Sequence, residues 1–111
     1  MTARRGTRAS RSGPQYVIVG NSAAGIAAAR QIRRYDPTGE VTLLSDEPAY
    51  GYSRVLLPLY IARTLKRREL LIADREFYAS RRIRLRRGEV VEGIDPLARR
   101  VTTRGGRTLP Y

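Results

Sequence analysis

The sequence predicts an α/β fold built on a parallel sheet, and three observations lead there. A short β-branched run, Tyr16-Val17-Ile18-Val19, passes directly into a glycine-bounded turn, Gly20-Asn21-Ser22-Ala23-Ala24-Gly25. An alanine-rich helical stretch follows the turn. A second apolar run, Val41-Thr42-Leu43-Leu44, closes the unit. Strand, tight turn, helix and strand within about thirty residues make a βαβ crossover, right-handed almost without exception.

Each element has its own justification. Tyr16–Val19 is continuous and apolar, as expected of a strand buried on both faces. Gly20 ends it. From about Ser22 to Arg34, Ala23, Ala24, Ala27, Ala28 and Ala29 are strong helix formers, and Ile26 and Ile32 are spaced to face inward with them. Arg30, Arg33 and Arg34 sit towards the carboxyl end, where positive charge suits the helix dipole. Asp36-Pro37-Thr38-Gly39 stops the helix, and Ser45-Asp46-Glu47-Pro48 closes the second strand.

Beyond it, Tyr50-Gly51-Tyr52-Ser53-Arg54 leads into Val55–Ala62, a short helix with Pro58 near its first turn, where a missing N–H costs little. Tyr50 and Tyr52 could stack on a partner, but read first as turn tyrosines covering a loop. Glu69–Ile72 is ambiguous. Asp74 can cap a helix running through Phe77, Tyr78 and Ala79. Ile83-Arg84-Leu85-Arg86 alternates like a half-buried strand, and Val90, Val91 and Ile94 mark another that ends at Asp95-Pro96. Val101–Thr103 and Thr108-Leu109 form a hairpin, with Gly105-Gly106 supplying positive φ.

A length of 111 residues leaves room for one small domain, placed at 15–111 behind a disordered basic tail, 1–14. Cysteine and histidine are both absent. That excludes disulfides, thiolate chemistry, Cys/His metal sites and His-dependent triads. The net charge of +12 would attract polyanions, and a small basic nucleic-acid-binding protein is one alternative reading. All the basic residues but Lys66 are arginine, and Arg4, Arg5, Arg8 and Arg11 of the tail carry a third of the excess. Nucleic acid is therefore not the main expected partner. No apolar run is long enough to span a bilayer, and no h-region follows Arg4-Arg5, so the expected location is cytoplasmic.

The chemistry lies in the turn. Gly20-Asn21-Ser22-Ala23-Ala24-Gly25 is a G-x-S-x-x-G form of the dinucleotide fingerprint. Gly20 permits the sharp exit from the strand, and Gly25 lets the helix lie close against it. Ser22 can donate its hydroxyl to a phosphate oxygen, and the free amides around Ala23 and Ala24 point at the negative charge. Asp46-Glu47 stands at the end of the next strand, about twenty residues beyond Gly25, where a carboxylate accepts from ribose hydroxyls. This fingerprint is common to FAD and NAD sites, and an NAD-binding regulatory module is the second alternative.

From Tyr16 onward the chain resembles the N-terminal part of the FAD-dependent pyridine nucleotide-disulfide-type oxidoreductases, particularly the rubredoxin and ferredoxin reductases and the FAD/NAD-binding part of nitrite reductases. The segments that carry the resemblance are YVIVGNSAAGIAAARQIR, VTLLSDEPAYGYSRVLLPLYIA and IRLRRGEVVEGIDPLARRVTTRGGRTLPY.

The resemblance implies a Rossmann-like FAD/NAD(P)-binding fold in which the last three strands form an antiparallel meander, with the chain incomplete at its C-terminus. It implies that Gly20, Ser22, Ala23, Ala24 and Gly25 cradle the FAD pyrophosphate, and that Asp46 or its neighbour Glu47 holds the ribose. It places Arg54 near the flavin end and the phosphates, and the Val91 backbone at the adenine. Val55 stands where some relatives carry a redox cysteine, which favours simple electron transfer from NAD(P)H through flavin to an acceptor, an electron-acceptor protein being one such partner. Leu59 stands where ferredoxin reductases often carry a lysine. Because the family's NAD(P)H domain would follow later in the chain, the isolated piece is expected to be catalytically inert.

Overall fold

The computed structural model describes residues 13–111. The expected basic tail therefore lies, up to residue 12, outside the described residues. Pro14 is already tied in, its carbonyl accepting from the Glu40 amide at 3.1 Å.

Strands β1 (Gln15–Val19), β2 (Glu40–Ser45) and β3 (Ile83–Arg87) form a parallel sheet in the order β1-β2-β3. Tyr16 pairs with Val41, and Val41 with Ile83. The central strand carries the most apolar run, and its residues Val41–Ser45 are all buried. β1 departs from expectation. It is half-buried, and Val19 at its end is 53% exposed. The cause is position: β1 is an edge strand and has a sheet neighbour on one side only.

Side chains alternate across β2, so each face of the sheet has its own core. On one face, Val41 and Leu43 pack with Ile83, with Ile26 and Ala29 of α1 (Ala23–Tyr35), and with Phe77 and Tyr78 of α4 (Arg75–Ser80). On the other, Leu44 packs with Val101 and Leu109. Those residues belong to an antiparallel meander of β4 (Val91–Asp95), β5 (Arg100–Thr103) and β6 (Thr108–Pro110). Helices, parallel sheet and meander thus form three layers.

α1 begins after Ser22 and ends at Asp36, as the sequence predicts. Its buried stripe is narrower than expected. Ala29 is buried, but Ala23, Ala24, Ala27 and Ala28 are exposed, because a helix lying on the edge of a narrow sheet has little to cover its outer side. Arg33 does more than complement the helix dipole. Its guanidinium donates to the carbonyls of Asp36 and Gly39 at 3.0 and 2.8 Å and to that of Arg81 at 2.7 Å, fastening α1 to the turn before β3.

Between β2 and β3 lie α2 (Leu57–Ile61), with Pro58 in its first turn, α3 (Arg67–Leu70) and α4. The ambiguous Glu69–Ile72 segment divides: its first half ends α3, and Leu71 forms an isolated antiparallel bridge with Tyr52. Asp74 caps α4 as expected, accepting from the Phe77 amide at 2.9 Å. In the β5–β6 hairpin only Gly106 takes positive φ, at 86°. Among the described residues no helix is long and apolar enough to cross a membrane.

Candidate nucleotide-binding site

The turn after β1 works as the glycines suggest. Gly20 has φ 113°, a region closed to side-chain-bearing residues, and its amide donates to the Leu44 carbonyl at 2.8 Å, prolonging the sheet for one step. A Cβ on Gly25 would lie 2.0 Å from the Gly20 carbonyl oxygen and 3.5 Å from Ile18 Cγ2. Only glycine allows α1 to start this close to β1. The first helical hydrogen bond runs from the Ile26 amide to the Ser22 carbonyl at 3.0 Å. The amides of Ala23, Ala24 and Gly25 therefore precede the helical ladder, as the first N–H groups of any α-helix do. Ser22 occupies the cap position without using its hydroxyl to cap.

Across from this turn, the end of β2 brings its acidic pair. Gly20, Asn21, Ser22, Ser45, Asp46, Glu47, Tyr50, Tyr52 and Arg54 line one pocket of about 80 Å³. That is smaller than a site enclosing a whole drug-sized ligand, and its size suits a ribose or a phosphate group. Of the residues named from sequence, Gly20, Ser22, Asp46, Glu47 and Arg54 meet in this pocket. Ala23, Ala24 and Gly25 adjoin it in the first turn of α1. Val91 does not line it; its side chain packs against the meander-side core of Leu44, Val101 and Leu109. The rim is nevertheless bonded to the connection that leads into that strand, since the Gly88 amide donates to the Glu47 carbonyl at 3.3 Å and the Glu89 amide to the Ser45 carbonyl at 2.8 Å. A wider cleft of about 140 Å³, between the sheet and the meander, holds none of the fingerprint residues.

The two carboxylates are in different states. Asp46 is exposed. Glu47 is held by two donors, the Tyr52 hydroxyl at 2.6 Å and Arg54 Nη2 at 2.5 Å. The tyrosine bond first, and then the arginine bond, keep its carboxyl below the ordinary carboxylate range. The same bond to Glu47 raises the Tyr52 phenol. Arg54 also lies over the Tyr52 ring, 5.5 Å from its centroid.

Several residues of this site escaped the sequence reading. Tyr52 is a ligand of Glu47 rather than a loop cover. Tyr50 stacks on Tyr78 with ring centroids 5.9 Å apart. The Tyr78 hydroxyl donates to Asn21 Oδ1 at 2.6 Å and accepts from the Gly51 amide at 3.1 Å. Asn21 Nδ2 is a buried donor that has no partner among the described residues. Residues 21, 51 and 78 belong to three separate segments, and no local pattern links them. The one available hint was that Gly51 sits between two tyrosines.

Residues 14–111 match the family model described as pyridine nucleotide-disulphide oxidoreductase. The chain belongs to the pyridine nucleotide-disulphide oxidoreductase family. It is 32% identical over 96 residues to rhodocoxin reductase of Rhodococcus erythropolis, covering 86% of this chain and 22% of that protein. It is 33% identical over 96 residues to the 5,5'-dehydrodivanillate O-demethylase ferredoxin reductase subunit of a Sphingobium strain, covering 86% of this chain and 23% of that protein. Among solved structures, NADH:rubredoxin oxidoreductase from Clostridium acetobutylicum superposes with a TM-score of 0.80 at 26% identity, over 87% of this chain and 25% of that one. The chain thus spans about a quarter of the length of each of these three relatives. The fold is the Rossmann-like one of these reductases, with its parallel sheet and antiparallel meander.

Proposed function

We propose that this family member is the FAD-binding portion of an NAD(P)H-dependent flavoprotein oxidoreductase that passes electrons to an acceptor protein. The observation that carries the reading is the meeting of two features in one pocket. A glycine turn opens onto helix amides that precede the helical ladder, and the acidic pair at the tip of β2 faces it. Backbone N–H groups at a helix start suit a diphosphate, and a neighbouring carboxylate suits a ribose.

The residues present fit such a group. Gly20 and Gly25 keep the turn free of side chains, Ser22 has an uncapped hydroxyl, and Asn21 Nδ2 is a donor in want of an acceptor. Gly20, Ser22, Ala23, Ala24 and Gly25 would hold the diphosphate. Asp46 is the better placed ribose partner, since Glu47 is engaged by Tyr52 and Arg54. Arg54, positioned by Glu47, would offer its remaining N–H groups to phosphate oxygen, and the Val91 backbone would meet the adenine. Bound FAD supplies the acceptance of a hydride and the release of electrons, which no side chain of this chain can provide. With no cysteine in the sequence, the chain contributes no thiol–disulfide step of its own.

The names of the relatives support an acceptor protein. One matched protein is named rhodocoxin reductase, another the ferredoxin reductase subunit of an O-demethylase, and one matched structure is a putidaredoxin reductase–putidaredoxin complex. Titrating the purified chain with FAD tests the reading. Saturable quenching of flavin fluorescence at one FAD per chain is the expected result, with Asp46→Ala weakening it about tenfold, the value of one charge-assisted hydrogen bond. A chain that leaves flavin fluorescence unchanged and is instead retained on DNA in a salt-sensitive way would overturn it.

A further inference from the structure

We infer that Tyr78 and Asn21 form a positioning pair for the nucleotide pocket, in which the tyrosine hydroxyl fixes the fingerprint turn against the Tyr50–Arg54 segment. The inference rests on the nucleotide reading above and extends it to the side chain of Asn21, at an unspecified position of the fingerprint, and to Tyr78 on α4, which lies outside it.

The hydroxyl of Tyr78 sits at a junction. It donates to Asn21 Oδ1 at 2.6 Å and accepts from the Gly51 amide at 3.1 Å. Asn21 is the residue directly after Gly20, and Gly51 precedes Tyr52, the residue that grips Glu47. One phenol oxygen therefore links the two walls of the pocket. Both are pressed together here as well, for a Cβ on Gly51 would fall 2.2 Å from Ile26 Cδ1 and 3.1 Å from the Tyr78 hydroxyl. Gly51 cannot relax away. Its carbonyl accepts from the Ile72 amide at 2.9 Å, and Tyr50 beside it stacks on the Tyr78 ring.

Tyr78 is itself held from several sides. It is buried in the helix-side core, edge-on to Phe77 at 5.2 Å, on a helix whose start is capped by Asp74. The ring is thus a rigid strut and its hydroxyl the fixed point. Taking Oδ1 of Asn21 also sets which atom of the amide remains: the oxygen is committed, and the donor Nδ2 is the one left without a partner. An unpaired buried donor costs free energy unless something accepts from it. A nucleotide oxygen is an acceptor of the kind it lacks.

If the pair positions the pocket, removing the hydroxyl must loosen nucleotide binding without dismantling the core. In Tyr78→Phe the ring stays packed while both walls lose their common partner. The 111-residue chain and its Tyr78→Phe, Asn21→Ala and double variants would be titrated with FAD by flavin fluorescence, with thermal unfolding of each followed by circular dichroism.

Each single variant should bind FAD about five- to tenfold more weakly, the equivalent of about one hydrogen bond. The double variant should lose less than the two single losses multiplied together, since both changes remove the Tyr78–Asn21 bond. Unchanged affinity in a folded Tyr78→Phe chain overturns the inference even if its Tm falls, because that is what a purely structural tyrosine would give. Additive losses in the double variant overturn it too. Should Tyr78→Phe fail to fold, Asn21→Ala, at a half-buried turn position, decides alone. Failure of the unsubstituted chain to bind FAD would instead defeat the nucleotide reading beneath it.

Discussion

At the scale of single residues, the site is decided by which carboxylates are occupied. Asp46 and Glu47 are adjacent and equivalent in sequence. In the structure Glu47 is bonded by Tyr52 and Arg54, while Asp46 is exposed. Nothing in the spacing of the acidic pair could have separated them, because the choice depends on where the chain turns at Gly51. The pH consequence can be worked out by sign. The folded Glu47 carboxyl titrates below its ordinary 4.5, chiefly through the Tyr52 bond, so its stabilising effect is present above pH 4.5 and lost as pH falls through the folded value. The Tyr52 phenol is raised above 10.0 by the same bond, so its effect is present below pH 10 and lost as pH rises through its folded value. Tyr52→Phe should return Glu47 towards 4.5 and flatten the acid limb of the stability curve, as followed by carboxyl NMR and urea unfolding at stepped pH. A Glu47 titration identical in the variant would show that Arg54 alone sets it.

At the scale of elements, sequence legibility followed how local the cause was. α4 was readable because Asp74 and Phe77, cap and capped amide, are three positions apart. The start of α1 was readable because Gly20 and Gly25 are part of one turn, and their purpose is mutual contact. The burial of β1 and of the α1 alanines was misjudged because each depends on how many strands lie alongside, which a strand's own residues do not encode. The division of Glu69–Ile72 was hidden for a similar reason: its second half is held by Tyr52, well before it in the chain. Gly25→Ala measures the contact between α1 and β1 directly. A methyl placed 2.0 Å from the Gly20 carbonyl must push the helix off the strand, at a cost of about 3 kcal/mol, the upper end for an overpacked position. Gly93→Ala, where a Cβ meets nothing within 4 Å, is the control and should change stability by about 0.5 kcal/mol or less. Comparable urea midpoints for the two variants would mean that the helix start can yield.

At the scale of the molecule, the sheet divides the protein into two cores of unequal size. The helix-side core joins α1, α4 and all three parallel strands. Among the described residues, the apolar side chains buried in the meander-side core are Leu44, Val101 and Leu109, with Thr103 of β5 also buried and Val17 and Val91 at the margin. The meander is therefore joined to the sheet by a small apolar contact and by the backbone bonds at Ser45 and Glu47. Such an attachment should open before the rest unfolds, since local stability follows buried apolar contact. Native-state hydrogen exchange would then give the amides of β5 and β6 a lower opening free energy than those of β2. Two truncations separate this from simple fraying. Leu44→Ala removes the central side chain of the smaller core and should lower the meander's opening free energy by about 3 kcal/mol. Val41→Ala, three positions earlier on the opposite face, should destabilise the whole fold but leave that opening unchanged, because the contact it weakens remains formed when only the meander lifts. Equal protection of β2 and β5, or equal responses to the two truncations, would make the two layers a single cooperative unit. The pocket lies at this junction, its rim bonded to the chain that enters β4, so a ligand that bridges Asp46 and the meander would raise the opening free energy selectively.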